Sequence, residues 1–378
     1  MAGTTWEQLR ELAGFRTQHG CAISLYVNLD PRAAPTAADV ETRVSCQLGE
    51  AERLADGRKA ALTHGQRAGL GSDLDRIRAW FDDGFDRDGV RGIAVFAAAL
   101  DNFWSTVTLP NPVEDDVTIG AELHLAPLVP HAERDGALVA VVGRERGQIY
   151  RLRDDSLVAI ADETDEVPGR HDQGGWSQAR FERHIENIVG QHLREVAGAL
   201  DVCSRRRRGM PIVLVGADEI RGEFEDLLSK ETAASVAGWA TAEAHAEGAQ
   251  LLDAARPVLD GWCSARERGL LDRWRDEAGK NGRASAGWEQ TLEAASDGRV
   301  ELLLVQAGVD RTAYQCPRCG RVQVQNGGCP LDGTTMEPRD DGLDLAVHQT
   351  LTYGGTIHVV RDRRDLEPVG GVAALLRF

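Results

Sequence analysis

Lysine is nearly missing from this sequence. Three of its 43 cations are lysine (Lys59, Lys230 and Lys280) and the rest are arginine. Arginine forks and stacks onto phosphate, which invites an RNA reading. GC-rich coding, which enriches arginine, alanine and glycine together, explains the same bias more simply. Long apolar runs are missing too: the longest, around Ile93 to Leu100, is far short of a membrane span. The opening stretch MAGTTWEQLRELAGF is amphipathic and lacks the apolar run of a signal peptide, so the expected compartment is the cytoplasm. No HExxH, Walker or GxGxxG pattern occurs, and no Ser/His/Asp or Cys/His order supports a nucleophilic triad. Positive charge is short as well. A formal net charge of −17 repels phosphates at long range and argues against broad nucleic-acid binding, so neither DNA nor a membrane is an expected partner. Local basic contacts stay open.

Seven cysteines are too few and too scattered for a disulfide framework. Cys21, Cys46, Cys203 and Cys263 are expected as buried free thiols, whereas Cys316, Cys319 and Cys329 cluster. The cluster reads C-P-R-C-G and then C-P-L-D-G, the spacing of a zinc ribbon, in which two glycine-bearing turns aim ligands at one tetrahedral ion. The fourth thiolate is missing. Asp332 stands in its place and a carboxylate oxygen is an allowed ligand; His348 is a more remote substitute. Four protein ligands would close the site and make the zinc structural, and a decayed knuckle without an ion is the alternative.

The length predicts two or three domains, α/β by pattern. Residues 1–130 read as an N-terminal α/β domain: a helix from Trp6 to His19, a buried strand from Ala22 to Leu29, helices from Asp39 to Ala55 and from Leu62 to Trp80. Two strands, Gly92 to Ala98 and Phe103 to Leu109, follow around an Asp101-Asn102 turn. Residues 131–250 open with three short strands, Ala137 to Val142, Gln148 to Leu152 and Ser156 to Ala161. After a long helix, PIVLV (Pro211 to Val215) fits a central parallel strand. A short helix is expected over Glu223 to Leu228 and a further strand from Val236. The order of these segments resembles a ribonuclease-H-like sheet. Residues 251–378 alternate helix and strand around VELLLV (Val300 to Val305), which argues an αβα sandwich with residues 312–336 inserted as a zinc-ribbon-like excursion. The runs Arg205 to Arg208 and Arg361 to Asp365 read as solvated loops.

One stretch organises the rest: RHDQGGWSQARFER, Arg170 to Arg183. Behind it Phe181, Ile185, Ile188, Val189, Leu193, Val196 and Leu200 recur at helical spacing, so one helix face is core. Ser177 stands where an N-cap is expected. The Gly174-Gly175 pair alone means little, because about four such pairs are expected from composition and four occur. Its setting, between basic flanks at a helix entrance with Gln173 and Gln178 on either side, is what singles it out. An ordinary turn before a helix is the plain alternative.

These pieces together resemble a bacterial member of the archaeo-eukaryotic class-I peptide chain release factor superfamily, which includes Pelota and the Vms-type peptidyl-tRNA hydrolases. The GGWSQARFERH loop-helix resembles that family's Gly-Gly-Gln loop and following helix. PIVLVGADEIRGEF resembles the later strand-turn-helix, and VELLLVQAGVD with GGTIHVV and GGVAALLRF resembles the third domain with its inserted mini-ribbon. The resemblance implies a loop that enters the peptidyl-transferase centre and promotes hydrolysis of the peptidyl-tRNA ester. Glycines thread backbone through conformations barred to other residues, and a glutamine amide places water and stabilises an oxyanion. It makes Gln178 the catalytic candidate, Gly174 and Gly175 the access residues, and Arg170, Arg180 and Arg183 the RNA contacts. The metal candidates remain Cys316, Cys319, Cys329 and Asp332, with structural zinc. The implied partners are the ribosome, through rRNA and P-site tRNA, and an elongation-factor-like GTPase. Trp176 and Ser177 separate the glycines from Gln178, and no Asn-Ile-Lys-Ser motif occurs, so codon-independent release or rescue fits better than ordinary termination. Two alternatives remain: a non-catalytic hibernation factor occupying the A site, and an endonuclease cutting tRNA near its 3′ end.

Overall fold

The computed structural model describes residues 4–378 except 59–61, 84, 133–135, 154–155, 165–177, 208, 244, 281 and 362, with backbone alone for 178–182. The chain forms two compact units, Met1–Asp135 with Leu270–Phe378, and Gly136–Gly269. The segments expected as first and third domains thus lie in one unit.

In the first unit, α1 (Trp6–Ala13) leads to β1 (Ala22–Asn28), α2 (Ala37–Gly57), α3 (His64–Asp82), β2 (Gly92–Ala98), β3 (Phe103–Leu109), β4 (Asp116–Gly120) and the short α4 (Val129–Ala132). The strands make one antiparallel sheet in the order β3-β2-β1-β4. Ile23, Leu25 and Val27 on β1 face α2 and α3 through Val44, Leu48, Leu74 and Ile77. The alternate residues Ala22 and Tyr26, with Phe96 of β2, face the other way, as the two-residue period requires. The helix expected to reach His19 stops at Ala13, where Gly14 caps it and Arg16 turns aside to bridge Glu122. Cys46, expected buried, is exposed on α2, because residue type gave the expectation and helix phase decides.

The second unit carries β5 (Ala137–Val142), β6 (Gly147–Arg153), β7 (Ser156–Asp162), α5 (Gln178–Arg206), β8 (Ile212–Gly216), α6 (Asp218–Glu225), α7 (Lys230–Ala234), β9 (Val236–Ala240) and the start of α8 (Gly248–Gly279). Its sheet order is β7-β6-β5-β8-β9; β5 to β7 form an antiparallel meander and β8 runs parallel to β5 and β9. The short helix starts at Asp218, earlier than expected, directly after the turn that ends β8. α5 lays Ile185, Val189, Leu193, Val196 and Leu200 on Leu138, Ala140, Ile149 and Leu214. The opposite face, Val139, Val141, Val213 and Val215, packs on Leu251 and Ala255 of α8. Cys263 on α8 is exposed, against expectation. Arg205 and Arg206 lie in the last helical turn of α5 instead of a loop, where cations complement the helix dipole.

The remaining elements return to the first unit: β10 (Ala284–Ala286), α9 (Trp288–Ser296), β11 (Val300–Gln306), β12 (Ala313–Gln315), β13 (Val322–Gln323), β14 (Glu337–Arg339), α10 (Gly342–Thr352), β15 (Thr356–Val360) and β16 (Val372–Leu376). The sheet β10-β16-β11-β15 has α9 and α10 on one face and Leu271 and Trp274 of α8 on the other. In the charged run Arg361 and Arg364 are exposed as expected, whereas Asp365 is largely buried and pairs with both Arg275 and Arg363.

One apolar cluster joins the N-terminal sheet, through Tyr26, Phe96 and Leu109, to Leu292, Leu345, Leu351 and Ile357 of the C-terminal segment. A polar seam runs through it. Asp344, 3% exposed in the first turn of α10, accepts the N–H groups of Leu125 at 2.6 Å and Ala126 at 2.8 Å. Its Oδ1 lies 3.2 Å from His124 Nδ1, and His124 Nε2 lies 3.3 Å from Asp116. Tyr26 donates its hydroxyl to the His124 carbonyl. Burial opposes charge on His124, but the Asp344 carboxylate and the hydrogen bonds to Asp116 and Asp344 raise it from 6.5 to about 10. Burial likewise pushes the Asp344 carboxyl up, and the His124 charge overrides it and holds the group well below the usual 3.8.

The raised His124 contributes stability fully below its ordinary 6.5, lost as pH climbs through about 10, while the depressed Asp344 contributes above 3.8. The stability advantage of wild type over Asp344→Asn, read from denaturant midpoints, is therefore greatest between those two ordinary values and shrinks toward pH 10; Asp344→Ala costs about 3–5 kcal/mol by leaving a buried charge unpaired. In the second unit, a Cβ on Gly147 would meet Val196 Cγ2 at 2.2 Å. Gly147→Ala is expected to destabilise the protein by about 1–3 kcal/mol through overpacking. Gly198→Ala, on α5 with nothing within 4 Å of the new Cβ, is neutral or stabilising.

Candidate functional site

The stretch that carries the expected chemistry joins β7 to α5. Arg170, Gln173, Gly174, Gly175, Trp176 and the expected N-cap Ser177 lie outside the described residues. Gln178 and Arg180 occupy the first turn of α5, described there by backbone alone, and Arg183 follows on an exposed position one turn later. The three expected functional residues on the helix are thus brought to one end of it.

Both attachments of the stretch are well secured. On the strand side, Asp162 accepts from Gln148 Nε2 at 3.0 Å and from the Thr164 hydroxyl and N–H at 2.5 and 3.1 Å. These bonds, the Thr164 hydroxyl first, hold the Asp162 carboxyl below its ordinary range. The Glu163 N–H donates to the Gly147 carbonyl at 2.6 Å. Gln148 in turn accepts from Arg146 Nε at 2.7 Å and Tyr150 Oη at 2.9 Å. On the helix side, the close approach of Gly147 to Val196 and buried His192 lets α5 lie directly on the sheet. A helix of 29 residues, with its apolar face buried along most of its length, is a stiff mount for whatever its N-terminus presents.

The second candidate site is the cysteine cluster, in the insertion between β11 and α10 whose small sheet runs β13-β12-β14. Two turns of the same design face each other. In the first, Gly320 N–H donates to the Cys316 carbonyl at 2.9 Å and Cys316 N–H to the Arg321 carbonyl at 2.8 Å. In the second, Gly333 and Cys329 repeat the pattern with Cys329 and Thr334 carbonyls, both at 2.8 Å. Gly320 and Gly333 adopt φ of 77° and 72°, left-handed values that glycine alone takes without strain. One ligand atom each from Cys316, Cys319, Cys329 and Asp332 lies within 4.8 Å of every other. Cys319 and Cys329 sulfurs are 3.5 Å apart, and Cys316 Sγ is 3.7 Å from each Asp332 oxygen. A tetrahedron with metal–sulfur arms of about 2.3 Å has edges near ~3.8 Å, so the donor set fits a zinc ion in both spacing and chemistry. Desolvation of its sulfur, with the Cys316 and Cys329 sulfurs beside it, pushes the otherwise exposed Cys319 thiol up to about 11, and the Thr334 N–H holds the Asp332 carboxyl low. His348 is not part of the cluster: it is buried and bonded to the Leu123 carbonyl at 2.6 Å.

The first of these turns is tied to the rest of its unit. Pro317 O accepts from Arg16 NH2 at 3.4 Å and Gly320 O from Gln349 Nε2 at 2.9 Å. Glu122 accepts from Gln315 Nε2 at 3.0 Å, and Gln315 Oε1 from Arg339 at 2.9 Å. Arg339 pairs with Asp341, which gathers with His124 and Asp344. That second gathering of donors balances its own charge through Arg339 and His124, and reads as an ion-pair seam. Local sequence holds no signal for it, since Gln315 and Glu122 are separated by 193 positions.

Residues 124–259 match the family model of bacterial archaeo-eukaryotic release factor family 10. Peptide chain release factor subunit 1 of Archaeoglobus fulgidus is 24% identical over 98% of this chain and 96% of its own length. The Thermoplasma acidophilum protein of the same name is 24% identical over 68% of each. Among solved structures, ribosome-bound archaeal Pelota with ABCE1 is similar at 16% identity over 76% of this chain and 77% of that one, with a TM-score of 0.41. The matched family stretch contains the glycine loop and the whole of α5. Residues 124–259 thus resemble the bacterial archaeo-eukaryotic release factor family 10, and the chain as a whole is similar to archaeal peptide chain release factor subunit 1.

Proposed function

We propose that the protein is a codon-independent release or rescue factor that works on the ribosome in the cytoplasm and hydrolyses the peptidyl-tRNA ester through its glycine–glutamine loop. The observation that carries this reading is the match of residues 124–259 to the release factor family, joined to the likeness with archaeal release factor subunit 1 along nearly the whole chain. In the reaction, water attacks the ester carbonyl carbon and the tRNA 3′ oxygen leaves with a proton. Gln178 at the entrance of α5 orients that water and donates to the oxyanion, while Gly174 and Gly175 let backbone pass between RNA walls. The positive end of the α5 dipole lies at the same entrance and favours the developing negative charge. Arg170, Arg180 and Arg183 neutralise rRNA or tRNA phosphates, in a molecule whose overall charge otherwise repels them. An elongation-factor-like GTPase is the proposed delivery partner.

A second reading rests on Trp176 and Ser177. Two residues between the glycines and Gln178 displace the amide by several ångströms, up to ~7 Å if extended, which favours a factor that occupies the ribosome without cutting. The cysteine cluster carries a proposal of its own: Cys316, Cys319, Cys329 and Asp332 hold a structural zinc that shapes the insertion.

Stalled ribosomes carrying labelled peptidyl-tRNA separate the readings. Hydrolysis yields free peptide with intact tRNA, and Gln178→Ala lowers its rate about 10²–10³-fold, the usual loss for one oxyanion donor. Peptide retaining nucleotides identifies a nuclease instead, and binding with neither product identifies the occupying factor. A Gln178→Ala protein as fast as wild type removes Gln178 from the mechanism. For the metal, protein prepared without chelator is expected to hold about one zinc per chain. Asp332→Cys tightens binding and Asp332→Ala weakens it in a competition with a chromogenic chelator; unchanged affinity in both removes Asp332 from the ligand set.

A further inference from the structure

We propose that Cys319 and Cys329 form a peroxide-responsive thiol pair whose oxidation to a disulfide dismantles the metal site. The release of metal rests on the zinc reading above; formation of the pair does not. The four donors are not equivalent. Cys319 is exposed, whereas Cys316 and Cys329 are buried, so a dissolved oxidant meets Cys319 first. Cys329 Sγ waits 3.5 Å away. Cys316 is otherwise engaged: its sulfur accepts the Cys319 N–H at 3.5 Å and faces both oxygens of Asp332.

The two turns also differ in freedom to move. The first is fastened by Arg16 and Gln349 through the Pro317 and Gly320 carbonyls. Among the described residues, the hydrogen bonds of 327–335 stay inside the insertion, as with Met336 N–H to Gly327 O at 2.9 Å and Thr334 N–H to Asp332 at 3.0 Å. A disulfide needs sulfurs at about 2.0 Å. The second turn can close that gap by moving as a body toward the first, with no hydrogen bond to the rest of the unit among the described residues to break.

The chemistry balances. The Cys319 sulfur attacks one oxygen of a hydroperoxide; the O–O bond breaks, the leaving oxygen takes the thiol proton and departs as water or an alcohol, and Cys319 becomes a sulfenic acid. The Cys329 sulfur then attacks that sulfur, the S–S bond forms, and the sulfenic oxygen leaves as water with the Cys329 proton. Two thiols lose two electrons and the peroxide gains them. Cys316 and Asp332 alone would offer a bound zinc two of the four ligands it requires, too few to hold it.

The test uses the full-length, zinc-loaded protein and hydrogen peroxide, with zinc followed by a chromogenic chelator and cysteines by differential alkylation and peptide mass mapping. Zinc release is expected to rise in step with a Cys319–Cys329 linked peptide, and dithiothreitol with added zinc is expected to reverse both. Exposed Cys46 and Cys263 serve as the internal reference for ordinary surface thiols. Asp332→Ala, which keeps both thiols, still forms the linked peptide, and Cys329→Ser leaves Cys319 as a dimedone-reactive sulfenic acid. Retained zinc with Cys319 and Cys329 reduced after Cys46 and Cys263 have oxidised overturns the proposal, as does a disulfide through Cys316. A linked peptide in protein that never held metal overturns the zinc reading and upholds the thiol pair.

Discussion

The Asp344 carboxylate accepts two backbone N–H groups and faces an imidazolium in a place sealed from water. Desolvating such a pair is expensive, and the expense is offset only if nearly every lone pair finds a partner. Here the partners come from both ends of the chain: His124, Leu125 and Ala126 from one, α10 from the other. The seam continues outward through Asp341, Arg339, Gln315 and Glu122 to Arg16, in step with the apolar cluster that Tyr26 and Phe96 share with Leu345 and Leu351. Apolar contact alone tolerates sliding, whereas a buried charge beside two specific amides fixes one register. The cysteine insertion hangs from the same seam, since Gln315 directly precedes Cys316.

The second unit answers a different demand. Its sheet is covered on both faces, by α5 and by α8, and the segment between β7 and α5 is secured at each root. Under the proposed function, the loop has to meet its target at a set distance from the body that carries it. Stiffness in α5 supplies that distance.

Much of this was legible where the signal is local. PIVLV and VELLLV read as strands because buried strands need apolar side chains on both faces, and the α5 stripe read as a helix because Ile185, Val189, Leu193, Val196 and Leu200 keep one phase. Cys316, Cys319, Cys329 and Asp332 come together through two glycine turns, a gathering visible in sequence because spacing and turns are properties of a dozen neighbouring residues. What failed was whatever depends on phase or on distant partners. Cys46 and Cys263 were placed inside by residue type, yet they sit on the outer sides of their helices. His348, the more remote substitute, is excluded by a distant partner: its nitrogen is spent on the Leu123 carbonyl. Nothing near Asp344 in sequence announces His124.

The first unit is assembled from two stretches separated by the whole of the second. During synthesis the sheet face bearing Tyr26, Phe96 and Leu109 emerges long before Leu292, Leu345 and Leu351, which cover it. The continuous Gly136–Gly269 stretch can complete its own core in that interval. The N-terminal sheet must meanwhile carry uncovered apolar surface, so the order of birth makes it the part of this protein most in need of a chaperone.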